Sequence, residues 1–227
     1  MRRIIILVLI LSITVSLSAC SSSEKVTAQA NSQTPDAVQT TTNKEKPSSG
    51  QKVLVVFFSS ANSSEADAKS YATPYEDGVA STEYLANLIA ERFTADIEKL
   101  IPVKPYSSSY IKVVAEAQKE ADANSRPEFL PLTINPEDYD IIFIGYPVWW
   151  YKMPMIVYTF FDKYDLSGKT IVPFNTHEGS HDGGTYEVIR QLEPEAKVLD
   201  GYNVNGREVG KADEELVAWL NGLNFDE

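Results

Sequence analysis

The chain has 227 residues, of which 43% are hydrophobic and 23% charged, and its formal net charge at pH 7 is −12. So negative a chain is repelled by phosphate backbones, which argues against nucleic acid as a partner. Because there is one cysteine, an internal disulfide is excluded and the folded part must be stabilised by its core.

The N-terminus has the pattern of an export signal. Arg2 and Arg3 precede an almost wholly apolar run at residues 4–17, which is shorter than the about 20 residues of a membrane span. The run ends in Leu17-Ser18-Ala19-Cys20, which resembles the bacterial lipobox. We therefore expect residues 1–19 to be a cleaved lipoprotein signal peptide, with Cys20 lipidated and the protein held extracytoplasmically on the cell membrane. The alternative is a plain secretory signal followed by an incidental cysteine.

Residues 20–50 are predicted to be the lipidated cysteine and a flexible tether. Polar residues dominate this stretch, so it cannot bury enough apolar surface to offset the entropy of ordering. Removal of residues 1–19 would change the net charge to −14, because two arginines are lost. Residues 51–227 suffice for one domain, whose acidic surface would serve solubility or docking to a basic protein.

Apolar patterns in this domain predict strands and helices in strict alternation. The predicted strands span residues 52–58, 96–101, 140–146, 169–174 and 198–204. Apolar residues at helical spacing predict helices around residues 85–93, 110–121, 153–164, 188–192 and 216–220. Strict alternation predicts a three-layer α/β sandwich with a parallel sheet and right-handed crossovers. Ligands of such sheets bind beyond the carboxyl ends of the strands, here after Phe58, Tyr146 and Phe174.

The loop after the first strand begins Ser59-Ser60-Ala61, and the first helix is predicted to start near Ser81 and Thr82. Hydroxyls and free N–H groups at a strand–helix junction form an anion site, although such residues also serve as helix caps. The intervening insertion at residues 62–77 is either a flap or a mobile loop.

The loop after the third strand contains four aromatic residues within six positions, 146–151. Their rings could stack on a flat ligand, or the tryptophans could fill the core. The candidate residues here are Tyr146, Pro147, Val148, Trp149 and Trp150.

The loop after the fourth strand offers glycines for close backbone approach and hydrogen-bonding groups for the polar edge of a ring. The candidate residues are Thr176, His177, Glu178, Gly179 and Ser180. A metal site that includes His181 and Asp182 is disfavoured, because the chain has two histidines and thus no third one as ligand. A serine hydrolase is disfavoured because Gly-x-Ser-x-Gly is absent.

These motifs together resemble the short flavodoxin-like proteins of bacteria. The combination of Gly-Tyr-Pro-x-Trp-Trp at 145–150 with Thr-His-x-Gly-Ser at 176–180 carries the resemblance, and it extends over nearly all of residues 51–222. It implies a five-stranded sheet in the order 2-1-3-4-5 and one non-covalent FMN. It places Ser59, Ser81 and Thr82 on the phosphate loop, residues 147–150 beside the isoalloxazine ring, and residues 176–180 near its pyrimidine edge. The chain departs from the family where Ala80 replaces a phosphate-loop glycine.

The resemblance implies an FMN-dependent electron carrier that exchanges electrons with a redox partner protein or a small-molecule acceptor. Two alternatives stay open. One is an NAD(P)H-dependent quinone or flavin reductase, although no separate Gly-x-Gly-x-x-Gly nucleotide fingerprint is visible. The other is a flavodoxin-like scaffold that has lost FMN.

Overall fold

The computed structural model describes Pro47, residues 50–60 and residues 79–225, which lie in one compact unit, Thr42–Glu227. The predicted signal peptide, Cys20, most of the tether, Ala61 and the insertion at 62–77 lie outside the described residues. The strands are β1 (Val53–Phe57), β2 (Asp96–Lys99), β3 (Ile141–Pro147), β4 (Thr170–His177), β5 (Lys197–Val198) and β6 (Tyr202–Asn205). The α-helices are α1 (Ser81–Phe93), α2 (Tyr110–Asp122), α3 (Met155–Lys163), α4 (Thr185–Leu192) and α5 (Asp213–Leu220).

The sheet has the order β2-β1-β3-β4-β5, and all its strand pairs are parallel, as the sequence predicts. The predicted fifth strand is divided into β5 and β6, which both pair with β4. Between the pairs Val198–Ile171 and Tyr202–Phe174, the fifth strand has one residue more than β4. The division therefore has the character of a β-bulge, and it lies where Gly201 approaches the Pro173 carbonyl closely.

Apolar side chains alternate between the two faces of the sheet and form two cores. Leu54, Val56 and Ile144 face the side covered by α2, α3 and α4. Val55 and Phe143 face the side covered by α1 and α5. This division establishes the three-layer sandwich and places the carboxyl ends of the central strands at one edge of the sheet.

Two strands extend further toward that edge than the sequence pattern predicts. β3 continues to Pro147, which pairs with Thr176, and β4 continues to His177. The reason is that β6 lies along the end of β4 and pairs Thr176 with Val204. Residues that the pattern assigns to loops are therefore held in register by the sheet.

Within the residues that the structure describes, no helix combines the length and the apolarity that spanning a membrane requires.

Glu193, just after α4, makes the stability of the fold depend on pH. Burial, together with the carboxylates of Asp165 and Asp162, raises its pKa to about 7. The pKa of a glutamate in the unfolded chain is about 4.3. The folded chain binds the proton of the Glu193 carboxyl more tightly than the unfolded chain does. Proton binding therefore stabilises the fold fully below the unfolded pKa, and this stabilisation is lost as the pH rises through 7. Because solvent screens this half-exposed carboxyl, we expect a loss of about 1 kcal/mol.

Denaturant unfolding at pH 5 and pH 8 measures this loss. In Glu193→Gln the loss should be smaller by about 1 kcal/mol, and in Glu195→Gln, which changes an exposed neighbour, it should persist in full. An equal loss in both variants would contradict the assignment.

Candidate functional site

Ser59 and Ser60 lie directly after β1 at the carboxyl edge of the sheet. They are 3% and 5% exposed, and neither hydroxyl has a hydrogen-bond partner within the described part of the chain. An unsatisfied buried hydroxyl costs about 1–3 kcal/mol, so these two hydroxyls suit a ligand that offers hydrogen-bond acceptors. The third residue predicted in this loop, Ala61, lies outside the described residues.

The start of α1 lies at the same edge. Ala80 is the N-cap residue of the helix and offers no side-chain acceptor, so no side chain of the described residues caps the first turn. The Ser81 hydroxyl donates to the Gly206 carbonyl at 3.1 Å, and the Thr82 and Thr176 hydroxyls are 2.8 Å apart. The capping interpretation of Ser81 and Thr82 is therefore wrong. The first turn of α1 contains one acidic residue, Glu83, whose carboxylate is paired with Lys99 at 2.7 Å. The N-cap itself is not acidic, so the N-terminal end of the helix dipole still suits an anion.

Residues 149–152 form a tight turn beyond β3. Trp149 and Lys152 exchange two backbone hydrogen bonds of 2.9 Å, and Trp150 and Tyr151 both have positive φ, 52° and 58°. Two central residues with positive φ define a type I′ turn, which normally contains asparagine and glycine. Bulky residues in this conformation are strained by about 1–2 kcal/mol each. We call residues 149–152 the aromatic turn.

The aromatic turn is supported from both sides. The Trp150 indole N–H donates to the Val114 carbonyl of α2 at 3.1 Å. On the other side, the backbone of Tyr151 lies so close to Gly183 that a Cβ atom there would be 3.2 Å away. Trp150 and Tyr151 nevertheless remain 50% and 69% exposed. The fold thus holds two aromatic side chains outward at a cost in strain.

Two other aromatic residues of this group point inward. Trp149 is 7% exposed, and its ring packs edge-on against Phe58 and Tyr106 at centroid distances of 5.4 and 5.3 Å. Tyr146 is fully buried and donates to the Thr185 hydroxyl at 2.9 Å. Burial raises the pKa of the Tyr146 phenol, so it stays neutral. The interpretation that one tryptophan fills the core therefore describes Trp149, although its ring also lines the cleft described below.

Thr176 and His177 end β4, and Glu178, Gly179 and Ser180 follow as a loop. His177 Nδ1 accepts the Gly179 N–H at 2.9 Å, which requires a neutral imidazole at that nitrogen. Burial and the nearby His181 lower the pKa of His177, in agreement with this role. Glu178 forms an ion pair with Arg207 at 2.7 Å. The loop is thus fixed by its own histidine and by an arginine from beyond β6.

The aromatic turn, α2 and the loop after β4 enclose a cleft of about 360 Å³, within the usual size of small-molecule sites. Its walls are apolar or aromatic on two sides and polar on the third. The lining residues are Tyr110, Val113, Val114, Ala117, Val148, Trp149, Trp150, Tyr151, Glu178, Gly179 and Ser180. The bond from Val148 N–H to the Thr176 carbonyl, 2.8 Å, joins the two loops at its base. No group of three potential metal-ligating side chains converges among the described residues.

The α2 wall and Arg207 were missed by sequence reasoning. Val114 and Ala117 have the helical spacing that predicts α2, but periodicity does not say which other element their face meets. Arg207 carries no local signal, because its position depends on the register that pairs His177 with Asn205.

Comparison with solved structures agrees with this fold. A Bacteroides uniformis protein provisionally classed as a flavoprotein is 25% identical, with a TM-score of 0.60, covering 76% of this chain and 99% of its own. A protein of the same provisional class from Bacteroides eggerthii is 26% identical, with a TM-score of 0.55, covering 75% and 96%. A Lactobacillus acidophilus flavoprotein in complex with FMN is 18% identical, with a TM-score of 0.52, covering 71% and 97%, and shows a likeness of fold alone. No curated protein shows significant similarity to the chain.

The flavodoxin family model matches residues 72–223, which is more than half of the chain. This match covers both α1 and the aromatic turn, and it agrees with the strand order of the sheet. The chain belongs to the flavodoxin family.

Proposed function

We propose that this protein binds one FMN non-covalently at the carboxyl edge of its sheet and serves as an electron carrier. The observation that carries the proposal is the pair of buried hydroxyls of Ser59 and Ser60, which have no hydrogen-bond partner among the described residues and lie beside the start of α1. When bound, FMN supplies the redox chemistry, and the protein binds and tunes it.

The phosphate of FMN fits the junction of β1 and α1. Ser59 and Ser60 would donate their hydroxyl protons to phosphate oxygens, and the first turn of α1 would contribute its N–H groups and its dipole. Ser81 and Thr82 are already hydrogen-bonded to Gly206 and Thr176, so they fix the start of the helix in place.

The isoalloxazine ring fits the cleft. The rings of the aromatic turn provide a flat apolar wall, and the backbone around Gly179, with its positive φ of 112°, can approach the polar edge of a ring. The walls of the cleft exclude water from one face of the ligand, and the exposed turn leaves another face accessible for electron exchange. The FMN bound in the Lactobacillus acidophilus protein of the same fold supports this cofactor.

Comparison of FMN with riboflavin, which lacks the phosphate, tests the proposal. The full chain, purified in mild detergent, should quench the fluorescence of FMN and bind it more tightly than riboflavin. In Ser59→Ala/Ser60→Ala we expect FMN affinity to fall at least about a hundredfold and riboflavin affinity to stay unchanged, since each of the two lost hydrogen bonds to a charged group contributes about 1.5–3 kcal/mol. The ligand-free variant should also be slightly more stable, because two unsatisfied buried hydroxyls are removed.

The outcomes separate the open alternatives. A wild-type chain that quenches neither ligand would contradict the proposal and favour a scaffold without cofactor. Rapid anaerobic oxidation of NAD(P)H in the presence of FMN and a quinone would favour a reductase over a carrier.

We further propose that the protein is lipid-anchored through Cys20 at the outer face of the cell membrane, where it exchanges electrons with a partner protein or a small acceptor. The lipobox-like sequence 17–20 and the polar tether support this location. During growth with a labelled fatty acid, the wild-type protein should incorporate the label and Cys20→Ala should not. Equal labelling of the variant and the wild type would contradict lipid anchoring at this residue.

A further inference from the structure

Arg207 brings a positive charge to the edge of the cleft. Its Nε lies 2.7 Å from Glu178 Oε2, and Glu178 is one of the residues that line the cleft. The Glu178 side chain is only 16% exposed, whereas that of Arg207 is 62% exposed. The carboxylate is therefore shielded from solvent, and the arginine compensates its charge from the outer side.

The backbone around Arg207 is fixed to the rest of the site. The Gly206 N–H donates to the His177 carbonyl at 2.8 Å, and the Gly206 carbonyl accepts the Ser81 hydroxyl. The Arg207 N–H donates to the Asn205 side chain at 3.0 Å, which forms a local turn. This segment thus joins the loop after β4 to the start of α1 and holds the arginine close to the carboxylate.

We infer that the Glu178–Arg207 ion pair sets the preference of the cleft for reduced over oxidised FMN. This inference rests on the proposed function. Two-electron reduction of FMN with the uptake of one proton adds one negative charge to the ring at neutral pH. An unpaired Glu178 carboxylate beside the cleft would repel that charge. Arg207 reduces the repulsion, because its guanidinium pairs with the carboxylate. Arg207 is thus a positioning and compensating residue that acts through Glu178 and does not itself touch the cofactor.

The test measures the dissociation constants of oxidised and reduced FMN for the full chain under anaerobic conditions. In Arg207→Gln the affinity for reduced FMN relative to oxidised FMN should fall about tenfold, which lowers the midpoint potential of the two-electron couple by about 30 mV. In Glu178→Gln the same ratio should rise, because the arginine is left uncompensated. Arg207→Lys, which keeps the charge, and the double variant Glu178→Gln/Arg207→Gln should both stay close to the wild-type ratio.

Arg190→Gln is the matched control, since Arg190 pairs with Asp200 and Glu187 elsewhere on the domain. In this variant the ratio of the affinities for reduced and oxidised FMN should be unchanged. A merely structural role of Arg207 would weaken the binding of oxidised and reduced FMN equally. Equal losses of affinity for the two forms, or a change of the ratio in the same direction in Arg207→Gln and Glu178→Gln, would overturn this inference and leave the proposed function intact. A wild-type chain that binds no FMN would overturn the inference together with the proposed function.

Discussion

Gly145→Ala is expected to lower the free energy of unfolding by about 3 kcal/mol, at the upper end of the usual overpacking costs. A Cβ atom at this position would overlap the ring of Phe174, whose three nearest carbons lie within 2.9 Å of it. Phe174 is fully buried in a close-packed core, so the ring has no room to withdraw. The Gly145 carbonyl also accepts the Phe58 N–H at 2.8 Å, so a backbone shift would disturb the end of β1.

Denaturant unfolding of the full chain measures this loss, and two further variants separate overlap from other costs of replacing glycine. Gly168→Ala should lower the free energy of unfolding by only about 1 kcal/mol, the cost of a positive φ of 75° in a residue with a Cβ atom. No steric overlap adds to this loss, because nothing lies within 4 Å of the added carbon. The double variant Gly145→Ala/Phe174→Leu should lose less unfolding free energy than the two single variants lose together, by at least about 1 kcal/mol. Strict additivity of the two losses would show that the ring is not the obstacle.

The alternation of strands and helices was accessible from the sequence because it depends on local patterns. β1 and β3 are continuous apolar runs, and helices of sufficient length separate all predicted strands. A parallel sheet with right-handed crossovers is the solution that this alternation allows, and the resemblance supplied the strand order. The same reasoning predicted that Ser59, Ser60, Ser81 and Thr82 lie at the junction of β1 and α1, where the structure has them. That they bind a phosphate stays a prediction.

What the sequence could not show depends on contacts between distant segments. The extension of β4 to His177 requires β6 beside it, and the pairing of Glu178 with Arg207 requires the register of those two strands. The aromatic turn was hidden for another reason, because Trp150 and Tyr151 occupy positions where a type I′ turn normally has asparagine and glycine. The predictions for the N-terminal 46 residues remain predictions.

Trp150→Ala is expected to weaken FMN binding by about 1–3 kcal/mol, or roughly fivefold to 150-fold, by analogy with the stacking of bases on aromatic side chains. The variant removes a wall of the cleft and the hydrogen bond to the Val114 carbonyl. Trp219→Ala is the matched control, because Trp219 packs against Phe143 and Tyr202 on the opposite face of the sheet. Fluorescence titration should show unchanged FMN affinity in that control, even though the protein is less stable.

The strain of the aromatic turn gives the same hypothesis a second, independent test. Tyr151→Gly relieves a positive φ of 58° in a side chain that is 69% exposed, so little packing is lost. We expect the unfolding free energy of the ligand-free protein to rise by about 0.5–1 kcal/mol, the relief being partly offset by the entropy of glycine. FMN affinity should fall at the same time. Backbone strain persists at a binding site when the strained residue serves the ligand, so the variant that loses the strain should also lose binding energy. A glycine variant that gains stability and keeps full affinity would show that the turn is not held in this conformation for the cofactor.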